Sequence, residues 1–340
     1  MSGTDGYRAG MSAQPVIDIH THMLSREWMD LLREHGAPLY EVHPVANGRE
    51  CIFRGDVPVT VPTPGHFDYE LRLRDMDAAG VDMAVVSLTC PNVYWGGHDI
   101  SLRAARVVND EMAAQQAIHP DRIRWFASLP WEYPTDAVAE LRRAHAQGAV
   151  GVMVLANIAG RSLTHPDFAP IWAAIDELAL PVLVHPTDPP GVDQLDMRMY
   201  DLTWSVGFMF DTTLAIGRMI LDGFFDRFTR LKIIASHGGA ALPYLVGRFD
   251  KGFHVSTFED RVIQRPPSEY LQTIFYDCIT YDAAALEYLI SVVGASQVLF
   301  GSDYPHIVGD MAGMLANVDR LAPTERDAVR GRNVQRIFDL

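Results

Sequence analysis

The chain has 340 residues, a net charge of −15, and 48% hydrophobic against 21% charged residues. This composition suits a globular protein with a large core, and the acidic balance excludes a nucleic-acid backbone as partner, which needs clustered Lys and Arg. Cys51, Cys90 and Cys278 are far apart with no CxxC pairing, which argues against a disulfide framework and a thiolate zinc site and for a reducing compartment.

The chain opens on "MSGTDGYRAGMSAQP", which lacks the apolar centre of a signal peptide. No later stretch is apolar enough to span a membrane as a helix. The expectation is a flexible tail over residues 1–14, one domain over 15–340, and a cytoplasmic location with no membrane partner.

Short β-branched runs then alternate with amphipathic stretches. Strands are predicted over 16–22, 83–89, 124–130, 151–156, 181–185, 231–236, 274–278 and 297–301. Between them, "HFDYELRLRDMDAAG" reads as a helix stopped by Gly80, and "ISLRAARVVNDEMAAQQAIHPDR" as a long helix ending before Pro120. "TDAVAELRRAHAQG" reads as a helix capped by Thr135. "FAPIWAAIDELAL" and "DTTLAIGRMILDGFFDRF" follow the same design. Eight strands separated by helices imply an α/β fold with a parallel sheet, and eight is the number that closes a (β/α)8 barrel. A seven-stranded or distorted barrel stays open. Two connections are long: 37–67, rich in Pro and Gly, and 186–210. Both read as loops at the face where barrels do chemistry.

The first strand ends "VIDIHTHM", with His20 and His22 two apart. Alternation along a strand sends both imidazoles to one side, where they can converge on a divalent metal. That pair alone fits a packed core equally well. The fifth strand, however, delivers His185 in "VLVHPTDPP", the sixth His237 in "IIASHGGA", and the eighth Asp303 in "VLFGSDYPH". Four strands of one barrel thus bring His or Asp to the same end, and a metal site becomes the better reading. The fourth strand, "GVMVLAN", has no Lys that could bridge two metals when carbamylated; one metal is expected.

Arg54 in "CIFRGD" is either a solvated loop residue or a clamp for a substrate carboxylate, which guanidinium binds with two parallel hydrogen bonds. Arg248 lies in "YLVGRFDKG". If its helix begins near Ala240, Arg248 lies about 12 Å along it, so it is structural or serves a neighbouring subunit. Tyr94, Trp95, Trp204 and Phe210 are read as packing residues before pocket residues. His43, His66, His98, His254 and His306 have no visible partner and are mostly read as surface or loop residues; His306 is close enough to Asp303 to face the pocket.

"IDIHTHM", "FR" at Phe53-Arg54, "LRDMDAAGVDMAVVS", "LVHPTD", "IIASHGGAALPYLVGRFD", "RPPSEYL" and "LFGSDYP" together resemble the amidohydrolase superfamily. More narrowly, they resemble its branch of 2-amino-3-carboxymuconate-6-semialdehyde decarboxylase. The resemblance implies a distorted (β/α)8 TIM barrel with a long insertion after strand 1. It implies one divalent ion, Zn2+ first and Mn2+ second, held by His20, His22, His185 and Asp303, with no organic cofactor. His237 would be the catalytic histidine, Asp303 would share in proton transfer, and Arg54 would bind substrate carboxylate. Arg248 matches an arginine that enters the neighbour's site in a dimer. Two positions depart from the branch: Thr187 stands where the pattern has Trp, and "PHI" with His306 stands where it has "PFP".

The expected function is a metal-dependent, non-oxidative decarboxylase, a carboxy-lyase. Its substrate would be an aromatic acid or a carboxylated muconate-semialdehyde-type ring-cleavage product. The alternative is a hydrolase of a C–N, lactone or C–C bond, or a hydratase, on the same site. The expected partners are a small carboxylic acid and a second copy of the chain.

Overall fold

The computed structural model describes residues 14–189, 191–192, 194–197, 199–256 and 261–340; apart from Gln14, the expected N-terminal tail lies outside them. Eight strands form one sheet: Ile17–His22, Met83–Ser87, Ile123–Ala127, Gly151–Leu155, Pro181–His185, Lys232–Ala235, Phe275–Asp277 and Val298–Leu299. They are called the first to eighth barrel strands below. Every neighbouring pair runs parallel in chain order. The sheet then closes on itself. Ile19 N donates to Phe300 O at 3.0 Å, Asp303 N to His20 O at 2.8 Å, and His22 N to Tyr304 O at 2.7 Å. The expected (β/α)8 barrel is therefore the observed one.

The strands are near-continuous apolar runs because both their faces are covered, as in parallel sheets generally. Val152, Met153, Val154, Val182, Leu183 and Val184 are completely buried. Helices fill the connections close to where periodicity places them. The helix Tyr69–Ala79 starts because Asp68 accepts a hydrogen bond from Leu71 N, and it stops at Gly80, whose φ of 80° is left-handed. One cap differs from expectation. The helix Pro134–Ala146 begins with Pro134, not with a Thr135 cap; proline's fixed φ pre-forms the first turn and needs no donor there.

Arg72, on the helix Tyr69–Ala79, is completely buried under the barrel seam. Its guanidinium donates to Thr21 Oγ1 at 2.5 Å and to His22 O, and lies 4.7 Å over the Tyr304 ring. It ties the ends of the first and eighth strands together, just where the candidate ligands emerge.

The long connection 37–67 is more ordered than its Pro and Gly content suggests. Glu41–Pro44, Glu50–Arg54 and Val57–Thr60 form a three-stranded antiparallel sheet. Its punctuating residues occupy permitted places. Gly48 and Gly55 sit in the turns at φ of 70° and 57°, and Pro58 lies on an edge strand. Ile52 anchors this sheet in the main core, and Arg54 stands at the end of the middle strand.

Candidate metal centre

The barrel brings its predicted polar strand ends together. His20, His22, His185 and His237 form a cage of imidazoles with ring centroids 4.9 to 5.7 Å apart. Asp303 enters it from the eighth strand: Oδ1 lies 3.3 Å from His22 Nε2 and 3.6 Å from His20 Nε2, and Oδ2 lies 3.8 Å from His237 Nε2. His20 and His22 are completely buried, and His185 and Asp303 nearly so. A small residue makes room for the cage. A Cβ at Gly301 would stand 2.9 Å from His20 Cβ and 3.2 Å from Asp277 Cβ.

Hydrogen bonds behind the cage decide which nitrogen faces it. His20 Nδ1 donates to Asp277 Oδ2 at 2.6 Å, and His185 Nδ1 donates to Pro186 O at 2.7 Å. His22 Nδ1 meets Ser87 Oγ at 3.1 Å, and that hydroxyl reaches on to Thr21 O. Acceptors at Nδ1 leave Nε2 as a bare lone pair, the ligand form of imidazole. The Nε2 atoms of His20 and His22, with Asp303 Oδ1, are buried and have no hydrogen-bond partner among the described residues. Buried polar atoms are normally satisfied. Three orphans converging on one point are the mark of a cation, and neutral nitrogens with a carboxylate oxygen are the donor set for zinc or a similar divalent ion.

The electrostatics agree for His22, His185 and Asp303. Burial holds His22 down to about 3 and His185 well below the usual histidine range, so both stay neutral. Burial pushes the Asp303 carboxyl up, but its contacts with His22 and His237 outweigh that and hold it well below the usual carboxylate range. Burial lowers His20, yet the Asp277 hydrogen bond raises it overall.

Asp277 organises two walls of the cage and did not stand out in the sequence. Besides His20, it accepts from His237 N at 2.8 Å, Gly238 N at 2.9 Å and Ile279 N at 3.0 Å. The amides of His237 and Gly238 belong to a chain that curls after the sixth strand through left-handed φ at His237 (54°), Gly238 (63°) and Gly239 (75°). The following helix therefore begins at Leu242 instead of Ala240. Asp303 is also left-handed, at φ 60°. A non-glycine residue held there stores strain, and such residues cluster at functional sites.

The other predicted residues lie outside the cage. Arg54 Nη1 lies 3.4 Å from Asp188 Oδ2, three residues beyond His185. The pair borders a cavity of about 340 Å³ that Asn157 and Gly191 also line. Arg248 is exposed on the helix Leu242–Val255, beside a groove of about 720 Å³ with Leu221, Phe249 and Phe253. Among the described residues it has no hydrogen-bond or ion-pair partner. Tyr94 and Trp95 are core residues, as read, whereas Trp204 and Phe210 are about half exposed.

His66 departs from the surface reading. It is completely buried, because Thr63 N donates to its Nδ1 at 3.0 Å within a tight turn that packs on the seam. Its ring lies 5.0 Å from that of His306, which lies 4.9 Å from His22. Thr89 Oγ1 holds His306 Nε2 at 3.0 Å. His306 therefore does border the site.

Comparison with known proteins agrees with this architecture. The family model described as amidohydrolase matches residues 17–340. The chain is 28% identical over 339 residues to 2-amino-3-carboxymuconate-6-semialdehyde decarboxylase of Dictyostelium discoideum, spanning 95% of this chain and 91% of that one. It is 30% identical over 294 residues to gamma-resorcylate decarboxylase of Rhizobium radiobacter, spanning 80% and 87%. The crystal structure of 5-carboxyvanillate decarboxylase from Sphingomonas paucimobilis superimposes with a TM-score of 0.82 at 26% identity, covering 96% of this chain and 100% of that one. All three are decarboxylases, the carboxy-lyase class expected from the sequence. No helix among the described residues is long and apolar enough to cross a membrane. With its barrel, its polar strand ends and a match over nearly its whole length, this chain belongs to the amidohydrolase family.

Proposed function

We propose that this protein is a divalent-metal-dependent, non-oxidative decarboxylase of a small aromatic acid or a carboxylated ring-cleavage product. One observation carries the metal: the buried Nε2 atoms of His20 and His22 and Asp303 Oδ1 converge without partners. His20, His22, His185 and Asp303 would hold the ion, Zn2+ first and Mn2+ second. The named relatives carry the reaction class, since all are decarboxylases.

When bound, the ion supplies Lewis acidity, stabilising negative charge that develops on a substrate oxygen. The chain's own residues supply the rest. In decarboxylation the bond between the carboxyl carbon and its neighbour breaks, carbon dioxide leaves, and the electron pair stays on the neighbouring carbon. A proton must then reach that carbon. His237 would deliver it from Nε2, the nitrogen facing Asp303 Oδ2; the hydrogen bond from its backbone N–H to Asp277 supports this role. General acid–base help of this kind contributes roughly 10²- to 10⁴-fold. Arg54 orients the acid from the insertion, its approach set by Asp188. Arg248 is exposed, in the second turn of a helix that starts at Leu242, five residues past His237; its exposure supports a role in the site of a second copy in a homodimer.

The experiment is a panel of aromatic and unsaturated carboxylic acids incubated with metal-loaded and chelator-stripped protein, read by mass. Loss of carbon dioxide with the loaded protein alone is the expected result. Gain of water without loss of carbon dioxide would replace the decarboxylase by a hydrolase or hydratase.

A further inference from the structure

A buried carboxyl group stands behind the cavity that Arg54 borders, and neither the metal cage nor the proton transfer uses it. Asp211 lies in the first turn of the helix Phe208–Leu221 and is almost completely buried. A buried carboxyl group is costly unless it is hydrogen-bonded, and this one is bonded to two other segments of the chain. Its Oδ2 accepts from Thr187 N at 3.0 Å, in the loop after the fifth barrel strand. Both its oxygens accept from Asn157 Nδ2, at 3.0 and 3.1 Å, just past the fourth strand. Asn157 is braced in turn, its Oδ1 accepting from Gly160 N at 3.0 Å.

The same Asn157 amide donates to Asp188 O at 3.2 Å. Asp211 and Asn157 therefore pin the N–H of Thr187 and the carbonyl of Asp188, which holds two consecutive residues from both ends. The side chain these residues present to Arg54 is that of Asp188, whose Oδ2 lies 3.4 Å from Arg54 Nη1. The helix is seated for this. A Cβ at Gly207, one residue before the helix, would stand 3.0 Å from Pro189 Cγ, so glycine lets the helix start this close to the loop. The Arg54 side chain is 45% exposed, and a long exposed side chain has many rotamers to lose. A fixed Asp188 selects among them before substrate arrives, which lowers the ordering cost of binding.

We propose that Asp211, braced by Asn157, is a positioning residue for the acid substrate: it holds Thr187 and Asp188 in place and, through Asp188, aims Arg54. The inference rests on the reading of Arg54 as the group that orients the acid.

The test is a double-mutant cycle on the metal-loaded protein, with the acid of the panel that is decarboxylated fastest as probe. Wild type, Asp211→Leu, Arg54→Ala and the two changes together are read by KM, kcat and metal content, beside crystal structures of the wild type and Asp211→Leu. Asp211→Leu should raise KM by about 5- to 10-fold, keep its metal, and add nothing to KM once residue 54 is already Ala. Its crystal structure should show Thr187 and Asp188 displaced. Asp211→Asn keeps one acceptor oxygen and should lose less than Asp211→Leu. If Asp211→Leu does not fold, Asn157→Ala, which removes the brace, takes its place in the cycle. An equal rise in KM with and without Arg54 overturns the proposal, as does loss of metal, because Asp211 would then act on the fold or on His185. Unmoved Thr187 and Asp188 overturn it whatever the activity. Arg54→Ala with unchanged KM overturns the reading of Arg54 and this proposal with it. A wild type that consumes no acid overturns the decarboxylase alone, and displaced Thr187 and Asp188 would still support the brace.

Discussion

Replacing Asp277 by Asn tests whether the carboxylate behind the cage builds the site. The shapes match, but one oxygen becomes an NH2. In the structure Oδ2 accepts from His20 Nδ1 and His237 N, while Oδ1 accepts from Gly238 N and Ile279 N. Whichever way the amide turns, two buried donors face a third. Each unmade buried hydrogen bond costs about 1–3 kcal/mol, so Asp277→Asn should destabilise the fold by about 2–6 kcal/mol, a large share of the usual 5–15. His20 also loses the group that fixes its tautomer, and losses of this kind weaken metal binding by about 10- to 100-fold. Chelator competition gives the metal affinity, and urea unfolding of the metal-free protein gives the stability. A variant with unchanged affinity and unchanged midpoint would refute the argument that Asp277 positions His20 and His237.

Three further outcomes are expected. Arg54→Ala should raise KM by about 10-fold or more with little change in metal content, because it removes a charge-assisted contact and leaves the cage intact; steady-state kinetics beside elemental analysis checks this, and equal losses in metal would contradict it. Arg248→Ala mixed with His20→Ala should recover activity in chain-exchanging dimers if Arg248 serves the neighbour's site, and no recovery would return it to a plain helix residue. Burial pushes the Asp211 carboxyl up to about 7 against an ordinary 3.8, even though Thr187 N and Asn157 Nδ2 hydrogen-bond to it. The folded state therefore binds the extra proton between those values, and stability contributed there is lost as pH rises toward and past 7. Unfolding midpoints of Asp211→Asn should fall less than wild type between pH 5 and 8, and parallel curves would contradict this.

Much of this molecule was legible in the sequence because its signals are local. Each barrel strand is a short apolar run; His185, His237 and Asp303 each end such a run with Gly or Pro within two residues, and His20 and His22 close the first strand as an alternating pair, so all five could be placed from four strand ends. Asp277 also ends an apolar run, in "IFYDCIT", but no Gly or Pro follows it. It could have been found by asking which strand ends had not yet contributed a polar residue. Ser87 and His66 could not. Their roles depend on which nitrogen of a histidine from another strand they face, and on a turn packed against a seam that forms only when the barrel closes. The insertion was misread for a different reason. Its glycines and prolines mark turns and an edge, and pairing across 41–60 is invisible to a count of loop-forming residues.

On the proposed function, this cage removes a carboxyl group and returns a proton to the carbon that held it. The most direct measurement is turnover in deuterium oxide of whichever acid the metal-loaded protein consumes, with product and gas read by mass. One carbon dioxide released per product and one deuterium at the vacated carbon are expected, both lost when the metal is stripped and restored when it returns. A product that keeps its carboxyl group and gains the mass of water would contradict it.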